Sequence, residues 1–309
     1  MGLTATLAGV IPVFLMIVLG YGLRKSNFLP DKTWRPIEKL SINLLYPGFL
    51  IPSIWGADLS GGSAGAAAGA AVSAIVIVSA LTLLAKPLMT IDGPAYTSVF
   101  QGVIRWNSFV FLPVIQASFG AEGLALAAVM IACIIPVTNI LCVAVLARWG
   151  ADQRGVSPLA LVRAMLANPI LLACLIGLAL NFARVPHLPG VTETLQLLGS
   201  AALPLGLIIA GAGLSFAEVA RRKWTVIGTS FVKLILMPPL MWGLCILFGG
   251  DHLAQGVAML CGAAPGAAAA YLLARQMGGD APLMAGVIAL TTVMSALMIP
   301  ILLFLFHLT

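Results

Sequence analysis

Ile11-Pro12-Val13-Phe14-Leu15 and Asn168-Pro169-Ile170-Leu171-Leu172 open two apolar stretches that lie 157 residues apart. Their register continues along both halves of the chain. At the same offset Gly20 meets Gly177, Leu23 meets Leu180, Pro47 meets Pro204, and Leu50-Ile51 meets Leu207-Ile208. At an offset of 158, Gly120 meets Gly278, Glu122 meets Asp280, Ala127 meets Ala285 and Val129 meets Val287. Each match alone is cheap in so apolar a sequence, but a register shared along a whole half is a poor product of chance. A duplicated set of membrane helices is the usual plan of a secondary transporter. The two copies are expected at residues 1–152 and 153–309.

Composition sets the class. Hydrophobic residues make up 61% of the 309 residues and charged ones 8%, and the mean hydropathy is +1.09. A soluble domain carries roughly 25% charged and under about 50% apolar residues. The expected fold is therefore all-α and polytopic, embedded in the lipid bilayer. The five cysteines sit singly in apolar stretches without metal-ligand spacing, and read as small core residues rather than a disulfide framework. No basic segment precedes the first apolar stretch and many spans follow it, so it reads as a retained helix rather than a cleaved signal.

A helix needs about 20 apolar residues to cross the hydrocarbon core. Ten such spans are expected, at residues 5–23, 35–55, 63–86, 94–119, 123–147, 164–183, 193–214, 224–248, 253–275 and 282–306. The longest gap, residues 148–163, separates spans five and six, where a linker between two five-helix repeats belongs. Odd-numbered connections hold 13 of the 16 Lys and Arg residues, even-numbered ones hold Arg184 alone, and Arg105 and Lys233 fall within spans. The basic side is cytoplasmic by the positive-inside rule, which puts both termini outside the cytoplasm at the inner membrane. The net charge of +6 is thus a topology signal that needs no nucleic-acid partner. Because five is odd, the second repeat enters the membrane inverted. In inverted repeats the substrate site tends to lie near the midplane, at broken helices.

Two interruptions fall at matching places. Span four contains Gln101-Gly102-Val103-Ile104-Arg105-Trp106-Asn107-Ser108, and span nine contains Gly262-Ala263-Ala264-Pro265-Gly266; the 158 offset sets Asn107 on Pro265. A broken membrane helix leaves backbone groups that must face protein, water or ligand. One isolated proline reads as a kink, but a symmetric pair with Arg and Asn in one member reads as a binding site where helices four and nine cross. Arg105 lies about 11 residues into its span, roughly 16 Å deep at about 1.5 Å per residue. A buried Arg costs at least about 2.5–3.5 kcal/mol, so it should face a polar cavity or a counter-charge. All ten acidic residues fall in connections or at helix ends. An unpaired guanidinium suits an anionic ligand, since it matches a carboxylate bidentately; the alternative is a guanidinium satisfied by the open carbonyls of the breaks.

The substrate-binding candidates are therefore Arg105, Asn107, Ser108, Pro265 and Gly266, with Tyr46 as a cavity-lining residue and Lys233 as a second intramembrane cation. For Lys233, structural and functional roles weigh evenly. Tyr46-Pro47 and Leu203-Pro204 form a second symmetric pair of kinks, read as hinges or packing kinks. The small-residue stretch at positions 61–69 suits close helix packing, either at a homodimer contact or within the chain. His187, His252 and His307 sit at loops or span ends. No Walker loop, HExxH motif or metal-ligand cluster is present in the sequence, so no metal or cofactor is expected, and the chain reads as no enzyme.

The same residues carry a family resemblance. Ile11-Pro12-Val13-Phe14, Gly20-Tyr21-Gly22-Leu23-Arg24-Lys25, Arg105-Trp106-Asn107-Ser108, Gly120-Ala121-Glu122-Gly123-Leu124-Ala125 and Asn168-Pro169 resemble the bacterial auxin efflux carrier family over essentially the whole chain. That family is similar in architecture to plant PIN carriers, bile-acid sodium symporters and the NhaA antiporter, with two inverted five-helix repeats and crossing broken helices. The resemblance implies transport of small organic anions. Span nine carries Ala263-Ala264-Pro265-Gly266-Ala267 in place of the Glu and Gln that bind sodium in bile-acid symporters. Span four lacks the paired acids of proton antiporters. Uniport driven by membrane potential and coupling through other groups both stay open. The expected function is a secondary carrier of small mono- or dicarboxylates, with alternatives in a channel and a membrane-embedded enzyme built on Ser108 and Lys233.

Overall fold

The computed structural model describes residues 3–57, 62–151, 163 and 168–306. The described residues form helices without a strand. α1 (Leu3–Lys25) is followed by α2 (Asp31–Leu40), which runs through a π-helical turn (Ser41–Leu45) into α3 (Tyr46–Trp55). α4 (Ser63–Ala85) ends in a 3₁₀ turn (Lys86–Leu88), and α5 (Gly93–Ile104) and α6 (Ser108–Trp149) follow. The second half holds α7 (Pro169–Phe182), α8 (Val191–Ser200), α9 (Ala202–Ala212), α10 (Ala217–Arg221) and α11 (Lys223–Phe231). A second π-helical turn (Val232–Leu236) leads into α12 (Met237–Leu247), then α13 (His252–Ala263), α14 (Ala268–Gln276) and α15 (Ala281–Phe306).

Five helical runs among the described residues are long and apolar enough to cross a membrane: Ser63–Leu88, Gly93–Trp149, Val191–Ala212, Lys223–Leu247 and Ala281–Phe306. The pair α13 and α14, bent by 47°, makes a sixth if taken as one broken span, and α7 is a shorter apolar helix. The chain is a multi-pass membrane protein. The run Gly93–Trp149 is 57 residues long, which is more than twice the roughly 20 residues a bilayer takes. It is broken at residues 105–107 and kinks again inside α6 at Gly120, where φ is 61°. Gly278 occupies the equivalent place between α14 and α15 with φ 71°. Both positions need the left-handed region that glycine enters without a Cβ penalty, which gives the sequence match between these two glycines a physical cause. The expected linker at residues 148–163 lies largely outside the described residues, and so does Gly61 of the small-residue stretch.

Packing draws helices from both halves into two groups. α1 packs on α9, and α3 on α7 and α8. α4 packs on α6, α12 and α13, while α15 lies against α5, α10, α11 and α14. Glycines permit the closest approaches. A Cβ on Gly20 would lie 2.0 Å from the Ile208 carbonyl oxygen, and one on Gly177 would lie 3.2 Å from the Ile51 carbonyl oxygen and 2.8 Å from the Ile54 Cβ. Gly20 and Gly177 stand 157 residues apart in sequence, as do Ile51 and Ile208, so each glycine approaches the carbonyl of a residue in the other half of the chain. The small-residue stretch packs inside the chain along one side: Ala64, Ala66, Ala67 and Ala68 are buried, and Gly69 faces the Phe248 ring.

Helix starts are capped by carboxylates. Asp92 Oδ1 accepts from Ala95 N (2.8 Å), Asp251 Oδ1 from Ala254 N (2.8 Å), and Asp280 Oδ1 from Leu283 N (2.9 Å). Arg222 bridges two of these caps, reaching Asp92 at 3.5 Å and Asp280 at 3.4 Å.

Candidate functional site

The two interruptions meet. α5 ends at Ile104 and α6 begins at Ser108; α13 ends at Ala263 and α14 begins at Ala268. The Asn107 backbone N–H donates to the Pro265 carbonyl at 2.9 Å, so each break satisfies part of the other. The remaining open groups at the second break are held by α15. Gly266 N–H donates to Thr291 Oγ1 (3.0 Å), and Ser295 Oγ donates to the Ala263 carbonyl (2.9 Å). This is how a non-helical backbone survives at membrane depth.

Beside the meeting point lies a cavity of about 170 Å³. From the first break it is lined by Arg105, Trp106, Asn107, Ser108 and Phe109; from the second, by Ala267, Ala268, Ala269 and Leu272. Ile135, Thr138 and Asn139 of α6 line it too, as do Asn168 and Ile170 at the start of α7, and Glu38 and Ile42 of the second expected span. The cavity thus sits on the seam between the two helix groups, with walls from both.

Arg105 is 8% exposed. Its Nε donates to Cys142 Sγ at 3.3 Å and its Nη2 donates to Asn139 Oδ1. Among the described residues it forms no ion pair. A guanidinium has five N–H donors, and two are used here. Trp106 adds an indole N–H that is buried without a partner among the described residues. A buried donor left unpaired costs about 1–3 kcal/mol.

Three helix N-termini converge on the same space. Asn107 caps α6, its Oδ1 accepting from Phe109 N at 2.9 Å, and Asn168 caps α7 by accepting from Ile170 N (3.0 Å) and Leu171 N (3.1 Å). The N-cap of α14 is Ala267, with no side chain to bond the first-turn N–H groups. Helix N-termini carry partial positive charge and favour anions. Together with Arg105 they make one wall of the cavity electropositive.

Of the residues anticipated from sequence, Arg105, Asn107 and Ser108 line the cavity. Pro265 and Gly266 sit behind it with their carbonyl and N–H already bonded to Asn107 and Thr291. Tyr46 is fully buried and packs its ring 5.0 Å from Phe109, so it backs the wall. Lys233 lies elsewhere, fully buried in the second π-helical turn within electrostatic reach of Cys261; it is not among the lining residues, and it shares no hydrogen bond with Ser108. Sequence reasoning missed Asn139, Asn168 and Glu38. Thr138-Asn139 was a visible signal, a polar pair inside an otherwise apolar span. Glu38 corrects one expectation: an acid assigned to a helix end lines the cavity, because the α2 helix continues unbroken toward it.

Comparison with known proteins shows the family. Residues 6–303 match the family described as membrane transport protein. The chain belongs to this family. The match bears out the resemblance to auxin efflux carriers carried by Arg105-Trp106-Asn107-Ser108 and the repeat-opening motifs. A protein of Methanothermobacter thermautotrophicus described as an "uncharacterized transporter" is 24% identical over 314 residues, covering 97% of each chain. Membership in the membrane transport protein family makes this chain a membrane transporter by kinship, and it places transport ahead of catalysis as the class of function.

Proposed function

We propose that the chain is a secondary carrier of small organic anions, mono- or dicarboxylates, working by alternating access around the cavity where the broken helices meet. The observation that carries this reading is Arg105, a buried guanidinium with no ion pair among the described residues, beside a cavity ringed by three helix N-termini. Arg105 would hold the substrate carboxylate with its remaining N–H groups. Asn107 and Ser108 would complete the hydrogen bonds, while Pro265 and Gly266 keep the second break open.

The same reading takes the chain as ten spans in two inverted five-helix halves, residues 1–152 and 153–309, in the inner membrane with both termini outside. The reciprocal contacts of Gly20 with Ile208 and of Gly177 with Ile51 support the two-fold relation, and so do the paired positive-φ glycines Gly120 and Gly278. The 13-to-1 distribution of basic residues supports the orientation. A cavity on the seam between two helix groups suits rocking of one group against the other, which exposes the site to each side in turn.

The test is counterflow in proteoliposomes. Vesicles loaded with an unlabelled carboxylate should accumulate the labelled one transiently and saturably. Flux that is linear in substrate and indifferent to the internal pool would indicate a channel and overturn the carrier reading.

A further inference from the structure

We infer that Glu38 is the specificity-determining residue of this cavity, selecting a monocarboxylate that bears a hydrogen-bond donor at its far end over a dicarboxylate. The inference rests on the reading of Arg105 as the carboxylate-holding residue. Among the described residues 16 line the cavity, and of these only Glu38 and Arg105 carry charge. They form no ion pair with each other; the Arg105 guanidinium is turned to Asn139 and Cys142 on α6. Glu38 is half-buried. It lies four residues before Ile42, another lining residue, and positions four apart share a helix face. The π-helical turn that begins at Ser41 follows without a break, so the carboxylate is carried on a continuous helix into the cavity wall.

The cavity therefore has a donor pole and an acceptor pole. Arg105 and the uncapped start of α14 form the first; Glu38 forms the second. The space is about 170 Å³, and in this inference a ligand anchored on Arg105 turns its far end to Glu38, the acid on the lining. A hydroxyl or ammonium there donates to the carboxylate. A second carboxylate there meets a like charge, and such pairs disfavour binding by about tenfold or more.

The test uses the purified full chain and four-carbon acids of matched length: 4-aminobutyrate, 4-hydroxybutyrate, butyrate and succinate. Wild type should bind the amino and hydroxy acids at least about tenfold more tightly than succinate, with butyrate between them. Glu38→Gln should lose most of that ratio by gaining affinity for succinate and losing it for 4-aminobutyrate, and Glu38→Asp should keep it. Succinate binding to wild type as tightly as 4-aminobutyrate overturns the inference whether or not the variants fold, and so does a ratio that Glu38→Gln leaves unchanged. Failure of all four acids to bind wild type would bring down the Arg105 site itself, a distinct outcome.

Discussion

Arg105 reaches its position because its own backbone is not helical. With φ −84° and ψ 146° it ends α5 in extended geometry, which throws the side chain sideways toward α6 instead of along the helix. There Asn139 and Cys142 hold it. Asn139→Leu removes the acceptor while keeping the volume, so the guanidinium loses its fixed direction. Anion affinity should fall by about five- to tenfold, since a hydrogen bond to a charged group contributes about 1.5–3 kcal/mol and a ligand oxygen can recover part of that. Titration of a carboxylate into the purified variant checks this; unchanged affinity in a folded variant would mean that Asn139 does not position Arg105. The sequence marked Arg105 through its depth in an apolar span, but its partner lies 34 positions away on another helix. No spacing rule connects residues across a broken helix.

At the scale of elements, the breaks depend on groups that α15 supplies. Thr291 accepts the Gly266 N–H, so Thr291→Val leaves a buried donor unpaired in an almost unchanged volume and should cost about 1–3 kcal/mol. Thr291→Ser should retain most of the stability. Thermal unfolding in detergent reads the difference, and equal melting of Val and Ser variants would show that Gly266 finds another acceptor. The close approach of α1 to α9 gives an internally controlled prediction. A Cβ at Gly20 meets a carbonyl oxygen at 2.0 Å, while one at Gly22 meets nothing within 4 Å. Gly20→Ala should destabilise by more than about 1 kcal/mol and Gly22→Ala should be neutral or slightly stabilising, since alanine is the better helix former by about 1 kcal/mol. Helix breaks and glycine contacts were legible as proline and glycine in matching register. The bonds that make the breaks tolerable were not, because Thr291 and Ser295 look like ordinary small polar residues in an apolar run.

For the whole molecule, sequence carried the class, the apolar runs and the paired interruptions, because each depends on local composition or on register. It did not carry the grouping of helices, since α1 packs with α9 and α3 with α7 across the length of the chain. Glu38 escaped for the same reason: its depth depends on which helices wrap around it. The proposed topology predicts opposite exposure of two connections. In a background lacking the five native cysteines, Ser26→Cys should be shielded from a membrane-impermeant thiol reagent in intact cells, and Leu188→Cys should react; the reverse pattern would invert the orientation. The central claim, an anion held at the meeting of the two breaks, is tested most directly by the affinity of purified Arg105→Ala for a small carboxylate ligand of the wild type. Loss of a charge-assisted contact of about 1.5–3 kcal/mol predicts binding weaker by about ten- to a hundredfold, with Arg105→Lys recovering only part because it keeps the charge and loses the fork. A folded Arg105→Ala protein that binds the carboxylate as tightly as wild type would contradict it.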